Sequence, residues 1–253
     1  MLYVTTEKII KENYHFQTMT DNPVLNRLYQ YGGEQLEKYI KGLYVVAKAI
    51  PTSYVSAECN SESPEIVLST TPGQPVRTVV ENENTTWTEF PLAGIPEIQR
   101  DLDKYQGKWL GDAIGMAADE YMTAGSPKGK KLAESILRDI YHEVGHKLVH
   151  YANLQGRDRT VEEGVVMFLE RFWFAYTELK DEKEAIKKAE EYLMKDLQSH
   201  AGMPIITDEE RGYSANKFRY LNQAFGAHKA VVRENAKPED LIFSDYMLPK
   251  GLK

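Results

Sequence analysis

The chain has 253 residues and a mass of 28.9 kDa, a size that suits one large domain or two small ones. With 42% hydrophobic and 27% charged residues, its composition is that of an ordinary folded protein and argues against disorder. The net charge of −7 and the pI near 5.5 argue against a broad nucleic-acid interface. The single cysteine, Cys59, excludes an internal disulfide and cysteine-rich zinc fingers.

The sequence shows no membrane or targeting segment. The N-terminus lacks the basic stretch followed by an apolar run that is typical of a secretory signal peptide. The longest apolar stretch, residues 165–176, contains Glu170 and Arg171 and is too short to cross a bilayer. We therefore expect a cytoplasmic protein that engages neither membranes nor nucleic acid.

The N-terminal half mixes helical and β-prone segments. Asp21 and Asn22 followed by Pro23 form a helix start signal, and apolar residues then recur at helical spacing through Val45, with a break expected at Gly32-Gly33. Residues 52–90 contain short β-prone runs between segments rich in Ser, Pro and Gly, which predicts three or four strands. We predict an α/β region over residues 1–127 in which these strands form a small twisted sheet.

The C-terminal region, residues 128–253, is predicted to be helical. Apolar residues step by four over residues 132–148, which indicates one face of a helix. A second helix opens at Thr160 and is apolar on nearly every side, as expected of a helix buried at the centre of a domain. Amphipathic helices are predicted over residues 182–198 and 214–232.

The clearest chemical signal is the segment His142-Glu143-Val144-Gly145-His146 on the first of these helices. Residues at positions i and i+4 share one helical face, so both imidazoles can bind the same Zn²⁺. Glu143, next to the first ligand, can take a proton from a water that the metal activates. The composition predicts only about 0.015 chance occurrences of this pattern. The sequence therefore predicts a hydrolytic site with one Zn²⁺ per chain.

A catalytic zinc needs a third protein ligand, and four residues compete for this role. His150 lies one turn further along the same helix, but one straight helix cannot easily wrap three ligands around one ion. Asp158 and Cys59 lack the flanking residues that accompany such ligands in aspartate-type zinc sites and in peptide deformylases. Glu163 is favoured, because a short turn followed by an antiparallel helix would return it to the level of the histidines.

Glu163 also has an interpretation that needs no metal. Thr160 and Glu163 have the spacing of a capping box at the start of the second helix. We favour the ligand role, since the preceding motif demands a third ligand. In that arrangement Gly164 would let the two helices approach closely.

The segments HEVGH and EGVVMFLE together resemble the gluzincin metallopeptidases of the zincin clan, and the second segment is most similar to the NEGxAxxxxE motif of the aminopeptidase N-like family. The resemblance implies an α+β, zincin-like fold with the zinc site between an N-terminal α/β part and a C-terminal helical part. It implies that Glu163 is a zinc ligand and that Glu170 orients a zinc-bound histidine. An ion pair of Glu170 with Arg171 or Arg138 is the equally weighted alternative.

This resemblance covers about 30 residues, and the chain departs from the family pattern at several points. Glu162 replaces the asparagine of the motif, Val166 replaces a small residue, and the two segments are slightly closer together. The GxMEN motif, which binds the free amino group of a substrate in that family, is absent, since residues 115–119 lack its glutamate. Exopeptidase specificity is therefore not implied.

Gluzincins usually use a Tyr or His further along the chain to stabilise the oxyanion of the tetrahedral intermediate. His228 and Tyr213 are predicted for this role, with Tyr220 and His200 as further candidates. His228 shares a face with the apolar residues of its helix, so a core histidine without a catalytic role is at least as good an interpretation.

The sequence thus predicts a zinc-dependent metallopeptidase acting on a peptide or protein substrate. His142, His146 and Glu163 would bind zinc, and Glu143 would be the general base. The alternatives are a catalytically inactive zincin-fold protein that binds zinc and a peptide or partner, a zinc hydrolase with a non-peptide substrate, and a helical protein without metal. The oligomeric state is left open.

Overall fold

The structure, a computed structural model, describes residues 22–48, 57–69, 77–82, 85–89, 102–152, 157–201 and 208–243. The chain is mixed α+β and mostly helical, as its sequence predicts. It divides into two compact units, residues 1–140 and 141–253, whose boundary falls inside one long helix. The predicted boundary after residue 127 stays a prediction.

Helix α1, Pro23–Lys41, opens the described chain. The side chain of Asn22 caps it, because Oδ1 accepts hydrogen bonds from the backbone amides of Val24 at 3.0 Å and Leu25 at 3.1 Å. Gly33 has a φ of 66° and interrupts the helical backbone, a conformation that glycine adopts without steric cost. The predicted helix start and break are both confirmed.

The predicted continuation of this helix through Val45 is wrong. Gly42 caps the end of α1, and Tyr44–Lys48 forms strand β1, which pairs in parallel with β3, Glu65–Ser69. Val45 and Val46 are both buried. Branched side chains lose rotamer freedom in a helix but pack well on a pleated sheet, so burial against a neighbouring strand overrides the apparent helical spacing.

The sheet of the first unit has four strands in the order β2-β3-β1-β6. Strand β2, Ala57–Cys59, runs antiparallel to β3, and β6, Lys108–Trp109, runs antiparallel to β1. Strands β4, Arg77–Asn82, and β5, Thr85–Glu89, pair with each other in a separate two-stranded sheet. The strands predicted over residues 52–90 are confirmed, but only β2 and β3 join the larger sheet.

The described helices after the sheet number six. They are α2, Leu110–Thr123; α3, Pro127–Ala152; α4, Arg159–Leu179; α5, Glu182–Ala201; α6, Asp208–Glu234; and α7, Asp240–Phe243. The four helices predicted in the C-terminal region are therefore confirmed, whereas α2 lies where the sequence shows no clear pattern. Among the described residues, no helix combines the length and apolar character that a bilayer crossing requires.

Helix α4 is the central helix of the second unit, as predicted, and packs against both α5 and α6. Every residue from 164 to 175 is buried, including Glu170 and Arg171. These two side chains form an ion pair, and Arg171 Nε also donates to Asp196 Oδ2 of α5 at 2.9 Å. The charges inside this helix are therefore paired, which buried charges require.

Helices α3 and α4 run antiparallel where α3 enters the second unit. The Tyr141 hydroxyl lies 2.6 Å from Thr177 Oγ1, while residues later in α3 meet residues earlier in α4. A Cβ atom on Gly145 of α3 would lie only 2.9 Å from Val166 Cγ1 of α4. Gly145 is therefore the glycine that permits this close approach.

The predicted role of Gly164 as the spacer between these two helices is wrong. A Cβ atom on Gly164 would lie 2.9 Å from the backbone nitrogen of Ala224, so this glycine faces α6. Helix α4 is thus closely approached on two sides, at Gly145 by α3 and at Gly164 by α6.

The start of α4 also differs from the prediction. Asp158 is the N-cap residue, since its Oδ1 accepts from the amides of Thr160 at 2.8 Å and Val161 at 3.2 Å. The predicted Thr160–Glu163 capping box is therefore wrong, and the Glu163 carboxylate can make other contacts.

We predict that Asp158→Ala lowers the free energy of unfolding by about 1 kcal/mol, because two amides at the helix start lose their acceptor. The matched variant Thr160→Ala should change stability by less than half as much, measured by urea denaturation. A larger loss for Thr160→Ala than for Asp158→Ala would restore the capping-box interpretation.

We also predict that Gly164→Ala destabilises the chain, since its Cβ meets α6 backbone that cannot move independently of that helix. Overpacking of this kind costs about 1–3 kcal/mol, partly offset by the higher helix propensity of alanine. Gly125→Ala is the control, because a Cβ there meets nothing within 4 Å. Equal unfolding midpoints for the two variants in urea would contradict the close contact at Gly164.

Candidate metal centre

Two histidines and one glutamate converge at the contact between α3 and α4. His142 and His146 lie one turn apart on α3, and their Nε2 atoms are 3.3 Å apart. Glu163 Oε2, from the second turn of α4, lies 3.7 Å from His142 Nε2 and 3.6 Å from His146 Nε2. The three atoms that the sequence assigns to a metal therefore meet at one point.

The spacing of these atoms fits a small divalent cation. Ligand atoms arranged tetrahedrally at about 2.0–2.1 Å from zinc lie about 3.3–3.4 Å from one another. The three separations in the structure are 3.3, 3.6 and 3.7 Å, so only shifts of a few tenths of an ångström are needed. Two imidazoles and one carboxylate are also a donor set that zinc takes in catalytic sites.

The other nitrogen of each imidazole contacts a second carboxylate from α4. His142 Nδ1 lies 3.2 Å from Glu170 Oε2, and His146 Nδ1 lies 2.9 Å from Glu162 Oε1. A carboxylate can only accept, so in the neutral ring the hydrogen is on Nδ1 and Nε2 remains as the ligand atom. Both histidines are therefore oriented with the same nitrogen toward the centre.

An arginine holds each of these outer carboxylates. Arg157 Nε donates to Glu162 Oε2 at 2.5 Å, and Arg171 pairs with Glu170. Glu170 has two interpretations, as the partner of a histidine and as the partner of Arg171. The structure shows both contacts at once. Arg138, the other arginine considered for Glu170, lies 3.7 Å from Glu134 Oε1.

The electrostatics of this cluster favour positive charge at its centre. Burial alone lowers the pKa of His142, but hydrogen bonds with Glu163 and Glu170 outweigh it and raise the pKa to about 10. The pKa of His146 is also raised, because hydrogen bonds with Glu162 and Glu163 outweigh the lowering effect of burial. Burial raises the pKa of Glu163, but the two histidines outweigh it and hold that pKa well below its usual range.

Glu143 follows the first histidine and is buried, with 5% of its surface exposed. Its charge contributes to the raised pKa of both His142 and His146. The side chains of His142, His146 and Glu163 remain 24%, 14% and 16% exposed. Water can therefore reach the centre, as a hydrolytic site requires.

The rejected third-ligand candidates lie outside the converging group. Asp158 is occupied as the N-cap of α4, and Cys59 belongs to strand β2 of the first unit. His150 is half-buried, with an Nδ1 that has no hydrogen-bond partner, and burial followed by the charge of Arg157 lowers its pKa. In the described part of the chain, Glu163 is the residue that completes a three-ligand group with the two histidines.

Of the residues predicted to stabilise an oxyanion, His228 and His200 have described ring contacts. The His228 ring packs edge-on against Phe168 with ring centres 5.9 Å apart, and its Nε2 lies 3.9 Å from Glu190 Oε2. Burial lowers the pKa of His228, as for a core histidine. His200 packs on Phe218, and the side chain of Tyr213 lies outside the described residues. A catalytic role for His228 or Tyr213 stays a prediction.

Glu162 and Arg157 are the members of the cluster that sequence reasoning missed. Consecutive helical residues point about 100° apart, so Glu162 and Glu163 can reach opposite nitrogens of one imidazole. The signal was present, because Glu162 occupies the position of the asparagine in the family motif. Nothing in the sequence indicates that Arg157 pairs with it.

Comparisons with known proteins found no relative of this chain. The chain matches no family model, and no curated protein or solved structure shows significant similarity to it. The metal-centre interpretation therefore depends on the motifs and on the geometry of the second unit.

We predict that the purified chain binds one Zn²⁺ and that Glu163→Ala weakens this binding by at least about 100-fold, because a direct ligand is lost. His150→Gln is the matched control, one turn beyond His146, and should leave zinc binding unchanged. Zinc content by atomic emission after dialysis against a weak chelator gives the measurement. Loss of zinc in His150→Gln, with retention in Glu163→Ala, would reassign the third ligand.

Proposed function

We propose that this protein is a zinc-dependent metallopeptidase of gluzincin type, with a zincin-like fold and one Zn²⁺ per chain. The observation that carries the proposal is the convergence of His142 Nε2, His146 Nε2 and Glu163 Oε2 at separations of 3.3–3.7 Å. Isolated surface histidines and glutamates have no reason to meet with this geometry, nor with a further carboxylate behind each ring.

The residues present fit zinc and the chemistry that it supports. When bound, zinc would act as a Lewis acid that lowers the pKa of a water molecule and polarises a substrate carbonyl. Two neutral imidazoles and one carboxylate leave a net positive charge on a divalent ion, which favours both effects. Three protein ligands also leave a coordination position for substrate.

Glu143 is proposed as the general base. Its carboxylate is next to His142 in sequence, is buried, and lies close enough to both rings to affect their pKa values. It would accept a proton from the attacking water and deliver it to the nitrogen of the leaving amine. Glu170 and Glu162 would keep the two rings oriented throughout, since neither points at the centre.

The order of elements supports a zincin-like fold. A small mixed sheet precedes the helix that carries both histidines, and the chain after that helix is helical as far as it is described. The ligands and the carboxylates behind them all lie within residues 141–253. A peptide or protein substrate and a cytoplasmic location remain parts of the proposal.

The test is Glu143→Gln in a chain loaded with zinc. The amide keeps the shape of the side chain but cannot accept the proton, so cleavage of a peptide library should fall by about 10²–10⁴-fold. Zinc content should not change, because Glu143 is not a ligand. Glu178→Gln is the control, an exposed glutamate on α4 outside the cluster, and it should retain full activity.

The outcomes separate the competing functions. Cleavage by the unaltered chain that is lost with a chelator and restored by Zn²⁺ supports a zinc peptidase. Unchanged turnover in Glu143→Gln would overturn the assignment of the base. Zinc binding without cleavage of any peptide would favour a binding module, and chelator-sensitive turnover of esters alone would favour a non-peptide hydrolase.

A further inference from the structure

Glu162 connects His146 to Arg157 through the two oxygens of its carboxylate. His146 Nδ1 lies 2.9 Å from Glu162 Oε1, and Arg157 Nε donates to the other oxygen, Oε2, at 2.5 Å. The two oxygens of one carboxylate thus have separate partners. A carboxylate held at both oxygens has little freedom to rotate.

Glu162 is followed in the chain by a second carboxylate. It directly precedes Glu163, so the two carboxylates repel each other, and a cation at the centre would attract both. The Glu162 side chain is only 8% exposed and that of Arg157 29% exposed, so their attraction is less screened by water than that of a surface pair. The arginine therefore both neutralises Glu162 and holds it on the Nδ1 side of His146.

Arg157 is itself positioned by the start of α4. It directly precedes Asp158, whose side chain caps the helix, and Glu162 N donates to the backbone oxygen of Asp158 at 2.9 Å. The same first turn that begins the helix therefore sets the distance between Arg157 and Glu162. The arrangement combines local contacts within residues 157–162 with the contact of Glu162 to His146 of α3.

We infer that Glu162 and Arg157 form a positioning pair for His146: Glu162 fixes the ring with Nε2 toward the metal, and Arg157 acts only through Glu162. This inference rests on the proposed metal centre. It assigns a role to Glu162, the position at which the chain departs from the family motif. The orientation of each ligand histidine would then depend on a carboxylate that is paired with an arginine.

The experiment measures zinc affinity by competition with a chromophoric chelator, so it needs no substrate. Glu162→Ala should weaken zinc binding about 10–100-fold, as loss of a carboxylate behind a ligand histidine does in other zinc sites. Glu162→Gln should stay within about fivefold of the unaltered chain, because the amide oxygen still accepts from Nδ1–H. Glu178→Ala, on the same helix and exposed, should have no effect.

Arg157 is tested by a double-mutant cycle. Arg157→Ala alone should weaken zinc binding by less than Glu162→Ala does, and in the Glu162→Ala background it should have no further effect. Independent, multiplying losses would show that Arg157 acts on the metal centre by a route other than Glu162 and would overturn its place in the pair. Circular dichroism in chelator checks that each variant folds, and if Glu162→Ala does not, Glu162→Gln and Arg157→Ala alone carry the test.

The outcomes also separate this inference from the proposed function. Zinc affinity of Glu162→Ala within about twofold of the unaltered chain, with zinc still bound through His142, His146 and Glu163, would overturn the positioning role alone. Failure of the unaltered chain to bind zinc would overturn both proposals. Zinc affinity that is retained in Glu162→Gln but lost in Glu162→Ala would support the hydrogen bond to His146 Nδ1, since a role in packing alone would not require an acceptor.

Discussion

The antiparallel contact between α3 and α4 is the constraint on which the cluster depends. The His142 and His146 imidazoles of α3 each have two nitrogens, and α4 places a carboxylate near each of them: Glu163 near both Nε2 atoms, Glu170 behind His142 and Glu162 behind His146. Buried carboxylates cost free energy unless they are paired. The histidines pair them on one side and arginines pair the outer two on the other, so the charges can remain in the interior.

Close helix packing gives this arrangement its precision. Gly145 lets α3 approach Val166 of α4, and Gly164 lets α6 approach the same helix from another side. A methyl group at either position would require helix backbone or a branched side chain to move. Metal ligands must be held within about 0.5 Å, which a helix fixed from two directions provides better than a loop does. The two glycines therefore help to set the separations of the candidate ligands.

Sequence reasoning succeeded where the signal is local. The Asn22 cap, the break at Gly33 and the four C-terminal helices follow from caps and periodicity. It failed where a distant partner decides the outcome. Val45 and Val46 belong to a strand because β3 lies beside them. One local choice was also wrong, since Asp158 caps α4 although Thr160 and Glu163 fit a capping pattern as well.

The sequence by itself determined that His142 and His146 share one helical face, because i and i+4 spacing is a property of the helix alone. It also indicated Glu163 and Glu170, through the spacing of a motif. Only the tertiary structure decided that Glu162 and Arg157 belong to the same cluster, and that His228 packs on Phe168 and faces Glu190. The contacts of Glu162 with His146 and of His228 with Phe168 and Glu190 depend on the register and separation of packed helices, which are set by side chains far apart in the chain.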